Sequence, residues 1–208
     1  MSQTLPIFEL PIVLLPEERI PLHIFEERYK RMIERAIATG EPFGILLNDD
    51  AGARAVGCTA YVTELLERYE DGRLDVVVTG GEPFRVLDRF DTQDDPSAET
   101  EIIDETLIGA GGGEAADPAR RAFIELAERA SGERPDAEQI AGESAYGLAG
   151  RVELPAETKQ ELLQLRDEET RMRVLTAALR TLLRVLDESE DVAERASSNG
   201  KVRIGPQG

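Results

Sequence analysis

The chain has 208 residues, 41% of them hydrophobic, enough for one domain with a real core or a domain with a sizeable appendage, as in an ordinary globular protein. Its formal net charge of −18, from 42 acidic against 24 basic residues, repels phosphate backbones and anionic lipid and argues against nucleic acid and membranes as partners. No apolar run reaches the roughly 18 residues that span a bilayer, and no basic segment with an apolar block opens the chain, so a cytoplasmic location is expected.

Only three of the basic residues are lysines, Lys30, Lys159 and Lys201. An acid-rich, lysine-poor composition occurs in salt-adapted proteomes, and a GC-rich mesophile can also be arginine-heavy. The single Cys58 and single His23 leave neither an internal disulfide nor a cysteine–histidine zinc cluster, and no cofactor is expected.

Pro6, Pro11, Pro16 and Pro21 recur every five residues, and a residue without a backbone N–H cannot sit inside a central ladder. Short strand pieces are therefore expected over 5–10, 12–15 and 20–24. From Glu26 the period changes. Tyr29, Met32, Ile33, Ala36 and Ile37 fall on one helical face, with Glu27, Arg28, Arg31, Glu34 and Arg35 turned to water and Gly40 as the stop.

The apolar block over 42–48 has strand length. Over 57–67, Cys58, Ala60 and Val62 alternate with Thr59, Tyr61 and Thr63, as the two faces of a strand do. Asp71–Gly72 predicts a hairpin turn into a second arm with Leu74, Val76 and Val78 on one face. A further strand is expected over 83–90 with Phe84, Val86 and Phe90 inward, and a last one over 99–108. GEPF occurs at 40–43 and 81–84, read both times as a turn leading into a strand. Asp88, Asp91, Asp94, Asp95, Glu99, Glu101, Asp104 and Glu105 read as a solvated acidic loop and edge, because a calcium loop needs alternating ligands and a glycine at the sharp turn.

GAGGG at 109–113 lacks the Gly–Lys–Ser/Thr of a phosphate loop and reads as a linker. Asp117–Pro118 predicts a helix start, followed by the face Ala122, Phe123, Leu126 and Ala130 and ended by Gly132. A weaker helix is expected over 136–148, a third from Pro155, and the longest over 167–186, where Met172, Leu175, Leu179, Leu182 and Leu186 form a seam with coiled-coil spacing. That seam suits packing inside a small bundle, or a dimerising coil. The tail from Ser197 is polar and glycine-rich, flexible or a late strand over 201–204. The expected organisation is a β-barrel domain over 1–108, a Gly-rich acidic linker over 109–117, a helical bundle over 118–196 and a flexible tail over 197–208.

The opening stretch, LPIFELPIVLLP then IPLHIFEERYKRMI, resembles the N-terminal substrate-binding domain of the Lon protease family, in particular its stand-alone members. Leu5, Pro6, Phe8, Leu10, Pro11, Leu15, Pro16, Pro21, Leu22, Phe25, Glu26, Tyr29 and Met32 carry the match, and Phe84, Arg85 and Val86 extend it. Glu17 stands where the family usually has glycine. The resemblance covers about residues 5–108 and implies an α+β fold, a small, partly open, PUA-like β-barrel with one packed helix, here followed by a helical bundle.

No chemistry is legible beside it. His23 is a lone histidine on a strand, and Cys58 reads as a small buried residue. Full-length relatives cleave peptides with a serine–lysine dyad in a separate domain driven by an ATPase. Neither a Walker A sequence nor a recognisable setting for Ser131, Ser144, Ser189, Ser197 or Ser198 beside Lys159 or Lys201 occurs. No catalytic, cofactor-binding or metal residue is assigned. The expectation is a non-catalytic module that binds exposed apolar segments of client polypeptides, in a groove between barrel and bundle or by strand addition at an edge. Phe8, Phe25, Phe84 and Phe90 are its candidate aromatics, each weighed against core packing, and the binding surface stays unassigned. The competing reading is a scaffold that dimerises or docks on one partner through the 172–186 seam. RNA binding, known for other small barrels, is opposed by the charge.

Overall fold

A computed structural model describes residues 2–91, 95–103 and 113–199. In chain order these form β1 (Ser2–Leu10), β2 (Arg19–Ile24), α1 (Glu27–Thr39), β3 (Phe43–Asp49), β4 (Gly52–Ala53), β5 (Val56–Arg68), β6 (Leu74–Asp91) and β7 (Pro96–Ile102). The helices α2 (Gly113–Ser131), α3 (Ala137–Ile140), α4 (Ala145–Ala149), α5 (Ala156–Gln164) and α6 (Glu168–Asn199) follow.

The strands close on themselves through β1. Ser2 to Pro6 pair antiparallel with β7, and Ile7 to Leu10 pair parallel with β3. The change of partner falls at Pro6, which has no N–H to continue a ladder. Since β7 also pairs with β6, β6 with β5 and β5 with β3, these five strands form a ring, with β2 added along β6. Phe84 packs with Leu5, Ile7, Leu46 and Ala98 in a cluster drawn from across that ring. Gly44 and Gly57 make room for it, since a Cβ would stand 2.6 Å from Phe84 Cζ at the first and 3.1 Å at the second. Phe43, Ile45 and Leu47, on the opposite face of β3, join a larger core with α1 and the C-terminal helices. Burial on both faces explains why 42–48 reads as an unbroken apolar run.

Helix α1 buries Tyr29, Met32, Ile33 and Ala36, with the Phe8 and Tyr29 ring centroids 4.1 Å apart. It stops at Gly40, left-handed at φ 73°, whose N–H donates to Ala36 O at 2.9 Å.

Several sequence expectations change. Residues 12–15 form no strand, yet Val13, Leu14 and Leu15 are buried. Their connection is stitched to the middle of β6, where Glu17 N donates to Gly80 O and Gly80 N to Glu18 O, both at 2.9 Å. Consequently β6 is one 18-residue strand, not two, and the second GEPF lies within it rather than in a turn. It exchanges partners along its length: β2 pairs with Leu74 to Thr79, β7 with Phe84 to Asp91. The last strand begins at Pro96, earlier than expected, and residues 104–108 lie outside the described residues. In the acidic segment Asp88, Glu99 and Glu101 are exposed, but Asp95 is buried and ion-paired with Arg35 of α1.

Residues 113–117, expected in the linker, are already helical, and Pro118 lies inside α2 instead of starting it. Burial of Ala116 and Ala119 rewards the extra turn. Residues 109–112 lie outside the described residues. The helix expected over 136–148 is two short ones, capped by Asp136, which accepts from Glu138 N at 2.9 Å, and by Ser144, which accepts from Gly147 N at 3.0 Å. Helix α6 runs on to Asn199, so 197–199 belong to it, while 200–208 lie outside the described residues. Its seam residues Met172, Leu175 and Leu179 are buried where α6 meets α2, α4 and α5.

Two polar links fasten α5 to the strands. Lys159 pairs with Glu18, whose other oxygen accepts from Leu15 N at 2.9 Å, and Gln160 Nε2 donates to Val56 O at 3.0 Å.

Candidate functional site

Beyond Ala60, among the described residues, β5 pairs only with β6, as does β2 throughout. Residues 61–68, 74–79 and 19–24 thus form a three-stranded arm with two open edges. An open edge presents unpaired N–H and C=O groups to any extended chain. Pro21 has no N–H to offer on β2, so β5 is the longer of the two edges, with register shifts between Val62 and Glu64 and between Leu65 and Glu67.

The arm also carries most of the large apolar side chains left in water near it. Phe25, just after β2, is 61% exposed, and Tyr61, Leu65 and Leu66 of β5 are 39%, 40% and 53% exposed. Leu65 stands opposite Val76, which is buried, whereas Leu66 falls at a register shift between Leu65 and Glu67. Glu64 and Glu67 flank the two leucines.

The same arm carries an ordered polar group, on the face that Tyr61 shares with Thr79. His23 Nδ1 lies 2.5 Å from Asp75 Oδ1, and Tyr69 OH donates to Asp75 Oδ2 at 2.7 Å. The His23 ring stacks at 6.2 Å on Phe25 and meets the edge of Tyr69 at 6.0 Å. The His23 hydrogen bond, followed by that of Tyr69, holds the Asp75 carboxyl below the usual carboxylate range. Donation to Asp75 pushes the Tyr69 hydroxyl up to about 12. Asp71 and Gly72 make the expected hairpin turn, with Gly72 at φ 80° and its N–H donating to Tyr69 O at 3.0 Å. Lys30 of α1 braces this tip through Asp71 O at 3.1 Å, and Arg68 pairs with Glu34.

Of the four candidate aromatics, Phe8 and Phe84 are core residues and Phe25 belongs to the arm. Phe90, expected inward, is 40% exposed at the far end of β6, in a separate cleft with Ile7, Glu9, Arg89 and Pro96. Tyr61, Leu65 and Leu66 were not singled out in the sequence. The available signal was the Leu65–Leu66 pair, since consecutive strand residues point to opposite faces and one must face away from the core.

Between the β1–β2 connection and α4 lies a crevice lined by Glu17, Glu18, Arg19, Glu143, Tyr146 and Arg151, charged where an apolar groove was expected. Cys58 is fully buried, and burial pushes its thiol up, away from a nucleophilic thiolate. Lys159 is engaged with Glu18, not with a serine. Among the described residues no group of three or more His, Cys, Asp or Glu side chains is arranged to hold a metal ion. Nor is any described helix long and apolar enough to cross a membrane.

Comparison with known proteins agrees with this architecture. The chain is 26% identical to the Lon protease of Paraburkholderia phytofirmans over 91% of its own length, and spans 26% of that relative. Among solved structures it is similar to the Lon N-terminal domain protein from Xanthomonas campestris, at 25% identity and TM-score 0.60, over 84% of this chain and 98% of the other. The N-terminal domain of Mycobacterium avium complex Lon protease shares the fold, at 17% identity and TM-score 0.68, over 86% of this chain and 98% of that one. The family description "ATP-dependent protease La (LON) substrate-binding domain" matches residues 4–181, and the chain belongs to that family.

Proposed function

We propose that this chain is a non-catalytic, cytoplasmic binding module that holds exposed apolar segments of client polypeptides along the β5 edge of the arm. The observation that carries the reading is the coincidence, on one arm, of an open strand edge with exposed Phe25, Tyr61, Leu65 and Leu66. Main-chain pairing supplies sequence-tolerant affinity, and the apolar side chains select for hydrophobic clients. The flanking Glu64 and Glu67 favour clients with basic residues beside the apolar ones. A substrate-binding role fits the family, while the buried, protonated Cys58 and the Lys159–Glu18 pair offer no nucleophile. The scaffold reading through the 172–186 seam is disfavoured by the burial of Met172, Leu175 and Leu179.

Fluorescence anisotropy of a labelled, permanently unfolded polypeptide tests the proposal. A saturable rise that persists with time is expected, weakened about tenfold by Leu66→Asp. No rise overturns client binding. A rise followed by decay as fragments form overturns the non-catalytic assignment.

A further inference from the structure

The β5 edge carries a pattern that one stretch of this chain complements. Residues paired across β5 and β6 share a face of the arm. Leu65 stands opposite Val76, whose side chain is fully buried, so Leu65 lies on the core side and is exposed only because no further described strand covers it. Glu64 and Glu67 stand opposite Val77 and Asp75, on the outer face with Tyr61. Leu66 is the extra residue at the register shift, so the two carboxylates are spaced like Val77 and Asp75, two residues or about 7 Å along the ladder. The edge therefore reads acidic, apolar, acidic, with the apolar position turned inward. Glu64 touches Arg19 at 3.3 Å, but both side chains are more than half exposed and such a contact is weak.

We infer that Lys201, Val202, Arg203 and Ile204 pair as an added strand with this edge on a second copy of the chain, where they compete with clients. In an extended segment Lys201 and Arg203 project to one side at the two-residue spacing of Glu64 and Glu67, and Val202 and Ile204 project to the other, over Leu65. Charge selects this segment among those outside the described residues. The stretch 92–94 holds Asp94, and 104–112 holds Asp104 and Glu105, with no basic residue in either, so Glu64 and Glu67 repel both. The course of α6 makes the partner a second copy. Residues 187–190 are exposed on every side, Val192 is 64% exposed, and the helix runs on to Asn199. Its end stands about 18 Å past Asp187. Lys201 follows within two residues, about 7 Å of chain, a shorter link than the return to its own body requires. The inference rests on the client-binding reading of the β5 edge, at which the segment acts as a stand-in client that covers Leu65 until a client displaces it.

Light scattering of the full chain, at moderate salt to screen the −18 charge of each copy, should show a mass that rises above 22.9 kDa with concentration. A tail variant, Lys201→Glu with Arg203→Glu, should remain at 22.9 kDa, and so should an edge variant, Glu64→Arg with Glu67→Arg. Mixing the two variants should raise the mass again, because each supplies the charges that the other's partner segment attracts. At concentrations where wild type associates, the tail variant should bind a labelled unfolded polypeptide about fivefold more tightly than wild type, its edge being uncovered. A mass of 22.9 kDa at every concentration overturns the inference, as does association that the variants leave unchanged or that mixing them fails to recover. Client binding that persists in those cases leaves the client reading standing. If the mass behaves as expected and the tail variant binds no client, the competition and the client reading are overturned together.

Discussion

Glu17 stands at φ 66°, in the left-handed region, where a residue with a Cβ loses about 1–2 kcal/mol relative to ordinary backbone. The family resemblance places glycine at this turn, and the geometry explains why. Allowing for the greater entropy glycine loses on folding, Glu17→Gly should stabilise the protein by about 0.5–1 kcal/mol, read as a higher urea midpoint. Asp75 makes a pH-dependent contribution of known sign. Its carboxyl is held low by His23 and Tyr69, so the stabilisation is present above the unfolded value of about 3.9 and is lost as pH falls through the depressed folded value. Asp75→Asn should flatten the fall in urea midpoint between pH 6 and pH 3, and an unchanged acid limb would contradict this assignment. These residue-scale features differ in legibility. Asp71–Gly72 announces its turn through local chemistry, whereas the convergence of His23, Tyr69 and Asp75 depends on β2 lying beside β6, a pairing across some fifty positions that no local pattern contains.

At the scale of elements, α1 and its Gly40 stop, the hairpin and the seam of α6 were readable because each is written in a periodicity or a turn residue. Strand β6 was not, because Gly80 and Gly81 look like an interruption when seen alone. Their role is close approach. A Cβ on Gly80 would stand 1.9 Å from Leu15 O, at the point where the β1–β2 connection is hydrogen-bonded onto the strand. Gly80→Ala should therefore cost about 3 kcal/mol or more, since backbone, not a flexible side-chain tip, would have to move. Gly142→Ala, with nothing within 4 Å of the added Cβ, should be nearly silent in the same thermal melt and serves as the control. The start of α2 was misplaced for a related reason. Asp117–Pro118 carries a valid local start signal, but packing of Ala116 and Ala119 draws the helix back to Gly113.

At the scale of the whole molecule, Phe8, Cys58 and Val76 from the strands and Leu175, Leu179 and Leu183 from α6 belong to one continuous apolar core, and Lys159–Glu18 and Gln160–Val56 tie the same halves together. Strands and helices should consequently unfold together: far-UV ellipticity and the fluorescence of the four tyrosines should follow one coincident urea transition. Two separated midpoints would mean that the halves fold independently. By itself the sequence determined what local and additive physics controls, namely the net charge, the amphipathic helices, the hairpin and, through the proline-punctuated opening stretch, the family. Which strand lies beside which, and so which residues stay in water, only the tertiary structure decided. Closing five strands into a ring uses up most of their edges and leaves one length of β5 open beside Leu65 and Leu66. Docking α6 by one face leaves Val185 and Val192 to the solvent, while Val174 and Ala178 stay partly packed against the core. Both surfaces are remainders of packing, defined by contacts among distant residues, and no window of neighbouring residues encodes them.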